Sequence, residues 1–160
     1  MVVILMGVTG SGKTTIGVAL AESLHWQFID ADDFHPQANV AKMRAGIPLG
    51  DADRVPWLAS LHSAIGDWLK EGTNVVLACS ALKQVYREQL LVNPNVKLVY
   101  LRGSRELISQ RLSQRRGHYM DPDLLTSQFA ALEEPRDAVV VDVDAAVPDI
   151  VGQIRKALCI

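Results

Sequence analysis

Residues 7–14 form a glycine-rich segment whose spacing suits the binding of a phosphate chain. They read GVTGSGKT and fit the pattern G-x-x-x-x-G-K-[ST], between an apolar run and an amphipathic pattern. Glycines let backbone N–H groups converge on phosphate oxygens, while Lys13 can reach the β- and γ-phosphates and the Thr14 hydroxyl can ligate Mg²⁺. The motif alone does not distinguish a kinase from a GTPase or a motor. The candidate nucleotide-binding residues are Gly7, Val8, Thr9, Gly10, Ser11, Gly12, Lys13, Thr14 and Thr15.

Three acidic residues follow the second apolar run of the chain. Asp30 and Asp32 lie two apart, so an extended backbone places both side chains on one side. Phosphoryl transfer needs one carboxylate near the metal and another that accepts the proton of the attacking hydroxyl. We assign the metal role to Asp30 and the base role to Asp32, whereas Asp33 is expected to cap the next helix. His35 is a candidate substrate contact, with a plain structural turn as its alternative.

Basic residues near the ends of later strands predict a site for an anionic acceptor. Arg54 precedes a helical pattern, and Lys83 and Arg87 would share one face of a helix that starts near Ser80. Arginine suits carboxylate recognition and lysine acts as a point charge. The alternative is a solvated helix face, which is the usual location of such residues. Ser80 itself is either part of this site or a helix N-cap.

An arginine-rich segment follows the fourth apolar run. Arg111 and Arg115 would share a helix face, and either could neutralise the transferring phosphoryl group when a lid of residues 104–134 closes. The candidate catalytic residues are therefore Lys13, Asp32, Arg111 and Arg115. An RNA-binding patch is the competing interpretation, but the net charge of −2 and the lack of interleaved aromatic residues argue against it.

Five apolar runs, at residues 2–6, 26–29, 75–79, 96–101 and 139–143, alternate with helical patterns. Continuous apolar strands are typical of a parallel sheet that helices cover on both faces. We therefore predict a single α/β domain over residues 1–160, with right-handed crossovers. In such a sheet the ligand lies at the carboxyl ends of the strands, which is where the candidate residues fall.

The composition of the chain excludes several kinds of protein. With 160 residues, of which 49% are apolar, the chain is long enough for one sizeable core. Near-neutral charge disfavours a nucleic-acid partner. Two cysteines cannot form a disulfide scaffold, and the sequence has neither a basic leader nor a run of about 18 apolar residues. We therefore expect a cytoplasmic protein without membrane association.

A large superfamily shares the phosphate motif, whereas several other segments of the chain are specific to a much smaller group of proteins. They are residues 32–36 (DDFHP), 51–54 (DADR), 79–83 (CSALK), 117–119 (GHY) and 127–129 (SQF). Through these segments, and along nearly its whole length, the chain resembles the gluconokinases of the small P-loop kinase type. The resemblance implies transfer of the γ-phosphate of ATP, with Mg²⁺, to the 6-hydroxyl of D-gluconate. It also implies a three-layer fold, a five-stranded parallel sheet in the order 2-3-1-4-5, and a homodimer.

The resemblance also bears on individual residues. In shikimate kinases an acid-x-acid pair matches Asp30 and Asp32, which supports their metal and base roles. His35, Arg54, Lys83 and Arg87, together with Asp32, are the expected acceptor contacts. One departure concerns residues 134–138, where the family carries a longer stretch before the last strand. We expect this shortened segment to affect recognition of the adenine base of the nucleotide rather than phosphate binding.

Other functions remain open at this point. Another small-molecule kinase of the same fold would act on a different anionic polyol or sugar acid. A shikimate kinase should have a glycine triplet where residues 79–81 read CSA, and a nucleotide monophosphate kinase a DGxPR motif there. A GTPase would need an NKxD motif, which the sequence lacks. A non-catalytic nucleotide-binding regulator is the third alternative, which retention of Lys13, Thr14 and Asp32 disfavours.

Overall fold

The computed structural model describes residues 1–114 and 122–160. Within these residues the chain forms five β-strands and seven α-helices. The strands are β1 (Val2–Met6), β2 (Gln27–Asp30), β3 (Val75–Ala78), β4 (Val96–Arg102) and β5 (Val139–Asp142). The helices are α1 (Lys13–Leu24), α2 (Gln37–Arg44), α3 (Asp51–Glu71), α4 (Gln84–Leu90), α5 (Arg105–Ser113), α6 (Pro122–Ala131) and α7 (Val147–Leu158), and a 3₁₀ turn (Ala31–Phe34) follows β2.

The five strands form one parallel sheet in the order β2-β3-β1-β4-β5. This confirms the predicted order. The strand β1 is central, with Leu5 opposite Ala78 of β3 and Met6 opposite Tyr100 of β4. Because the strands run in one direction, the ends of β1, β2 and β3 meet at one edge, and the segments that follow them build the site.

Helices cover both faces of the sheet, as the continuous apolar runs predict. Val3 and Leu5 point to one face and pack with apolar residues of α1, α5 and α7. Val2, Ile4 and Met6 point to the other face and pack with α3 and α4. All five β1 residues are fully buried, which explains why this strand does not alternate with polar residues.

The start of α4 differs from the prediction. The helix begins at Gln84 with Lys83 at its N-cap, rather than near Ser80. The preceding segment cannot be helical, because the N–H of Cys79 still donates to Leu5 O of the sheet and Ala81 has a φ of 43°. The expectation that Lys83 and Arg87 share one helix face at the cleft is therefore wrong, since Lys83 precedes the helix.

The predicted lid region contains α5 and α6. Its candidate Arg115 lies outside the described residues. At 21 residues, α3 is the longest helix in the described part of the chain. Neither it nor any other helix in that part is sufficiently long and apolar to span a bilayer.

Candidate active site

The phosphate-binding motif forms the turn between β1 and α1. Gly7 has a φ of 154°, and a Cβ atom there would lie 2.7 Å from Ser11 Oγ and 2.9 Å from Leu101 O. Gly12 caps α1 in the left-handed region, with a φ of 93°. Lys13 Nζ donates to the carbonyl oxygens of Gly7 and Val8, at 3.0 Å each. The loop is thus a backbone cradle at a helix N-terminus, a geometry that suits a phosphate group.

A cleft of about 670 Å³ opens beside this loop, at the carboxyl ends of β1, β2 and β3. It brings together several residues that are far apart in the sequence and were predicted to act, along with others that were not. The predicted residues that line it are Thr9, Gly10, Gly12, Lys13, Thr14, Thr15, Asp30, Asp32, His35 and Arg54. Within residues 1–114 and 122–160, no group of three or more His, Cys, Asp or Glu side chains could hold a metal ion by itself.

The two candidate carboxylates belong to one tight turn, and the backbone at Asp32 is part of a 3₁₀ turn rather than the extended segment that was predicted. Asp30 Oδ1 accepts a hydrogen bond from the backbone N–H of Asp32 at 3.0 Å, so Asp30 caps the 3₁₀ turn. The prediction that Asp33 is the capping residue is wrong. Asp30 has the extended backbone of a cap (φ −97°, ψ 127°), whereas Asp33 lies inside the turn. Capping uses one oxygen of Asp30 and leaves its other oxygen available.

Asp32 lies at the mouth of the cleft with 69% of its side chain exposed. Burial within the concave surface raises the pKa of its carboxyl group, and the nearby charge of Asp30 raises it further. His35 and Lys13 act in the opposite direction and lower that pKa. Lys13 therefore lies close enough to interact electrostatically with the proposed base.

His35 is held between several groups. Its ring stacks on Trp57, with centroids 4.6 Å apart and an interplanar angle of 11°. The Trp57 indole is fixed in turn, because its Nε1 donates to Ala31 O at 2.7 Å. His35 Nε2 is 3.8 Å from Asp32 Oδ1. Burial lowers the pKa of His35, although the charge of Asp32 partly opposes this effect.

The three basic residues predicted for the acceptor have different surroundings. Arg54 lines the cleft, donates to Leu49 O and lies 5.7 Å from the centroid of the Tyr86 ring. Lys83 does not line the cleft, and its Nζ pairs with Asp51 at 2.8 and 3.1 Å. This pairing raises the pKa of Lys83.

Arg87 is only 5% exposed and does not line the cleft either. Its Nη1 donates to Ala81 O at 3.0 Å and to Leu82 O at 2.9 Å. These bonds hold the loop between β3 and α4, in which Ala81 has a positive φ. Burial of the guanidinium lowers the pKa of Arg87. The structure thus places Arg87 as a support of that loop.

Arg111, the described lid candidate, is bound near the end of β5, where its Nη2 donates to Val143 O. The structure instead brings α6 to the cleft, through Leu124, Ser127 and Gln128. Sequence reasoning assigned these residues no role. The SQF segment at residues 127–129, one of the segments that carry the family resemblance, was the signal for Ser127 and Gln128.

Comparison with known proteins gives similarities over nearly the whole chain. A family model described as an AAA domain matches residues 2–139. The chain is 44% identical to a probable gluconokinase of Rattus norvegicus, over 98% of this chain and 97% of that protein. It is also 44% identical to the thermosensitive gluconokinase of Escherichia coli strain K12, over 97% of this chain and 86% of the relative.

A solved structure agrees with these relatives. The crystal structure of a gluconokinase from Sinorhizobium meliloti 1021 superposes with a TM-score of 0.86 at 42% sequence identity. That similarity covers 98% of this chain and 90% of the other. It therefore extends well beyond the phosphate loop and includes the segments that surround the cleft.

Proposed function

The chain belongs to the gluconokinase family, and we propose that it phosphorylates D-gluconate with ATP. The γ-phosphoryl group moves to the 6-hydroxyl, which yields 6-phospho-D-gluconate and ADP. The observation that carries this function is one cleft containing both a phosphate cradle and a carboxylate, Asp32, within electrostatic range of Lys13. A nucleotide and an alcohol can meet there.

The phosphate loop accounts for the nucleotide side of the reaction. Backbone N–H groups of residues 10–14 and the Lys13 ammonium group hold the β- and γ-phosphates. The loop fits such a group, because its glycines adopt the positive φ values that turn the backbone around a phosphate, and a Cβ atom at Gly7 would clash with Ser11 Oγ and Leu101 O. The Thr14 hydroxyl and the Asp30 carboxylate would hold Mg²⁺ with phosphate oxygens, and the ion supplies charge neutralisation when bound.

Asp32 acts on the acceptor side. It orients the 6-hydroxyl of D-gluconate and takes its proton as the hydroxyl oxygen bonds to the γ-phosphorus. The bond between the γ-phosphorus and the bridging oxygen breaks, and that oxygen leaves with ADP. Because the transition state is loose, positioning and charge neutralisation supply most of the acceleration.

The remaining basic residues serve the anionic acceptor and the transferring group in different ways. Arg54 and His35 contact D-gluconate from the cleft wall, which both side chains line. Lys83 and Arg87 support the acceptor site indirectly, Lys83 through its ion pair with Asp51 and Arg87 through its bonds to the loop before α4. Arg111 or Arg115 neutralises the γ-phosphate when the lid segment closes.

Three properties of the whole protein complete the proposal. We place it in the cytoplasm, with Mg²⁺ as the metal ion and a homodimer as the assembly. The homodimer rests on the family resemblance, and light scattering coupled to size-exclusion chromatography measures it directly. Loss of turnover in EDTA, with recovery on adding Mg²⁺, tests the metal requirement.

The function itself is tested by ADP release from ATP and Mg²⁺ across a panel of acceptors. The panel contains D-gluconate, other aldonates, shikimate, glycerate and nucleoside monophosphates. We expect turnover with D-gluconate alone. Turnover with a different acceptor would retain the phosphate-loop chemistry but reject D-gluconate as the substrate. ATP binding without turnover on any acceptor would reject the kinase function.

A further inference from the structure

Asn39 is a buried polar residue of α2 whose side chain is held by a backbone carbonyl. It is 4% exposed and does not line the cleft. Its Nδ2 lies 2.7 Å from Asp53 O at the start of α3. Because a carbonyl oxygen can only accept a hydrogen bond, this contact fixes the NH₂ end of the amide on that side. The orientation of the amide therefore follows from the backbone.

The second N–H of the same amide faces His35. Asn39 Nδ2 lies 3.2 Å from His35 Nδ1. Since the NH₂ group donates, Nδ1 must accept and carries a lone pair. In a neutral imidazole the proton then resides on Nε2. Burial lowers the pKa of His35 and so favours this neutral form.

The packing around the His35 ring restricts its rotation out of this orientation. His35 is stacked on Trp57, and its side chain is only 5% exposed. Turning the ring over would exchange Nδ1 with Cδ2 and place a C–H against the Asn39 amide in place of the acceptor. The remaining ring nitrogen, Nε2, lies 3.8 Å from Asp32 Oδ1. The protonated nitrogen therefore faces the carboxylate in the cleft.

We propose that Asn39 is a positioning residue that selects the His35 tautomer with its N–H toward Asp32. This inference rests on the proposed function, in which Asp32 accepts the proton of the acceptor hydroxyl. At 3.8 Å the N–H is beyond hydrogen-bond length from Oδ1, but its dipole attracts that oxygen electrostatically and leaves Oδ2 for the hydroxyl. The opposite tautomer would present a lone pair to a carboxylate oxygen, and the two would repel each other.

The tautomer can be measured directly in the wild-type chain. Long-range ¹H–¹⁵N NMR spectra distinguish protonated from unprotonated ring nitrogens, and the His35→Gln variant identifies the His35 signals. We expect Nε2 to be protonated and Nδ1 unprotonated. A protonated Nδ1 in the wild type would overturn the proposal without any further variant.

The Asn39→Leu variant then tests the consequence. It removes both N–H donors at similar size, so we expect the Nδ1–H tautomer to appear and kcat to fall about tenfold. The KM for ATP should not change, because the phosphate loop is not involved. A fall in kcat with an unchanged tautomer would mean that Asn39 is only structural, which would overturn the proposal.

Lys42→Met is the matched control. Lys42 also lies on α2 and also binds Asp53, at 2.7 Å through Oδ1, but it does not contact His35 in the structure. It should leave the tautomer unchanged and kcat within about twofold. An equal loss of kcat in Lys42→Met would show that the hydrogen bonds between α2 and Asp53 of α3 determine kcat, rather than the tautomer of His35, and would overturn the proposal.

A double variant separates positioning from folding. In the His35→Gln background the Asn39→Leu change should lose most of its effect on kcat, since the ring is gone. An unchanged effect would contradict the proposal. If the wild type phosphorylates no acceptor, the proposed function fails by itself, while the wild-type NMR spectrum still confirms or refutes the tautomer assignment.

Discussion

The backbone N–H of Thr9 donates a hydrogen bond to Gln128 Oε1 at 2.6 Å, although 119 positions separate the two residues. Thr9 belongs to the phosphate loop and Gln128 to α6. Both line the cleft. This bond attaches α6 to the phosphate loop through a backbone group that lies outside residues 10–14, the segment proposed to bind the phosphates.

Removal of this bond should weaken nucleotide binding. In Gln128→Leu the Thr9 N–H loses its partner and α6 loses an anchor, so we expect the KM for ATP to rise about fivefold. Steady-state kinetics at saturating D-gluconate measures it. Gln110→Ala, which changes an exposed glutamine of α5, is the control and should leave the KM unchanged. An equal rise in both variants would refute a specific role for Gln128.

Replacing the proposed base should separate turnover from binding. Asp32→Asn keeps the shape of the side chain but cannot accept the proton, so kcat should fall by a factor of about 10² to 10⁴. Displacement of a fluorescent nucleotide should show that ATP still binds. The neighbouring exposed acid provides the control, and Asp33→Asn should retain kcat within about twofold. Full activity in Asp32→Asn would exclude it as the base.

Substitution of Arg54 should affect acceptor binding, whereas substitution of Arg87 should affect stability. Arg54 lines the cleft, so Arg54→Ala should raise the KM for D-gluconate about tenfold without changing the KM for ATP. Arg44→Ala, an exposed change on α2, is the control. If the KM for ATP rises equally, Arg54 does not recognise the acceptor.

Arg87→Ala should mainly reduce stability. It leaves the carbonyls of Ala81 and Leu82 without their buried donor, which should cost about 2 to 4 kcal/mol. Urea unfolding measures this loss, and an exposed arginine change such as Arg44→Ala should cost less than about 0.5 kcal/mol. Wild-type stability with a KM for D-gluconate raised more than that for ATP would instead make Arg87 a direct acceptor contact.

The two cysteines should differ in reactivity. Burial raises the pKa of Cys79 to about 12, whereas Cys159 is exposed. Because the thiolate is the reactive form, Cys79 stays protonated and unreactive even at about pH 9. We expect iodoacetamide to label only Cys159 in the native chain and both thiols in denaturant, as mass spectrometry of peptides would show. Native labelling of Cys79 would contradict its burial.

Much of the fold could be predicted from the sequence because its signals are local. Each apolar run is a strand within one residue of the predicted bounds. The apolar residues are continuous because β1 and β3 are buried on both faces, although the edge strands β2 and β5 are partly exposed. The phosphate loop is equally local, as its glycines and lysine are adjacent in the chain. The strand order came from the family resemblance, because the spacing of strands does not determine which of them pair.

The positions of the site side chains depend on contacts between residues that are distant in the sequence. Asp51 binds Lys83 and Tyr86 from 32 and 35 residues away, and Arg87 turns inward to two carbonyls that a helix starting at Ser80 would have used. The amide of Asn39 depends on a carbonyl of α3. A sequence pattern shows which side chains carry charge or hydrogen-bond donors, whereas their partners are chosen only when the packed elements bring distant groups together. For that reason the sequence identified the chemistry of the cleft, and the tertiary structure determined which side chains line it and which support it from behind.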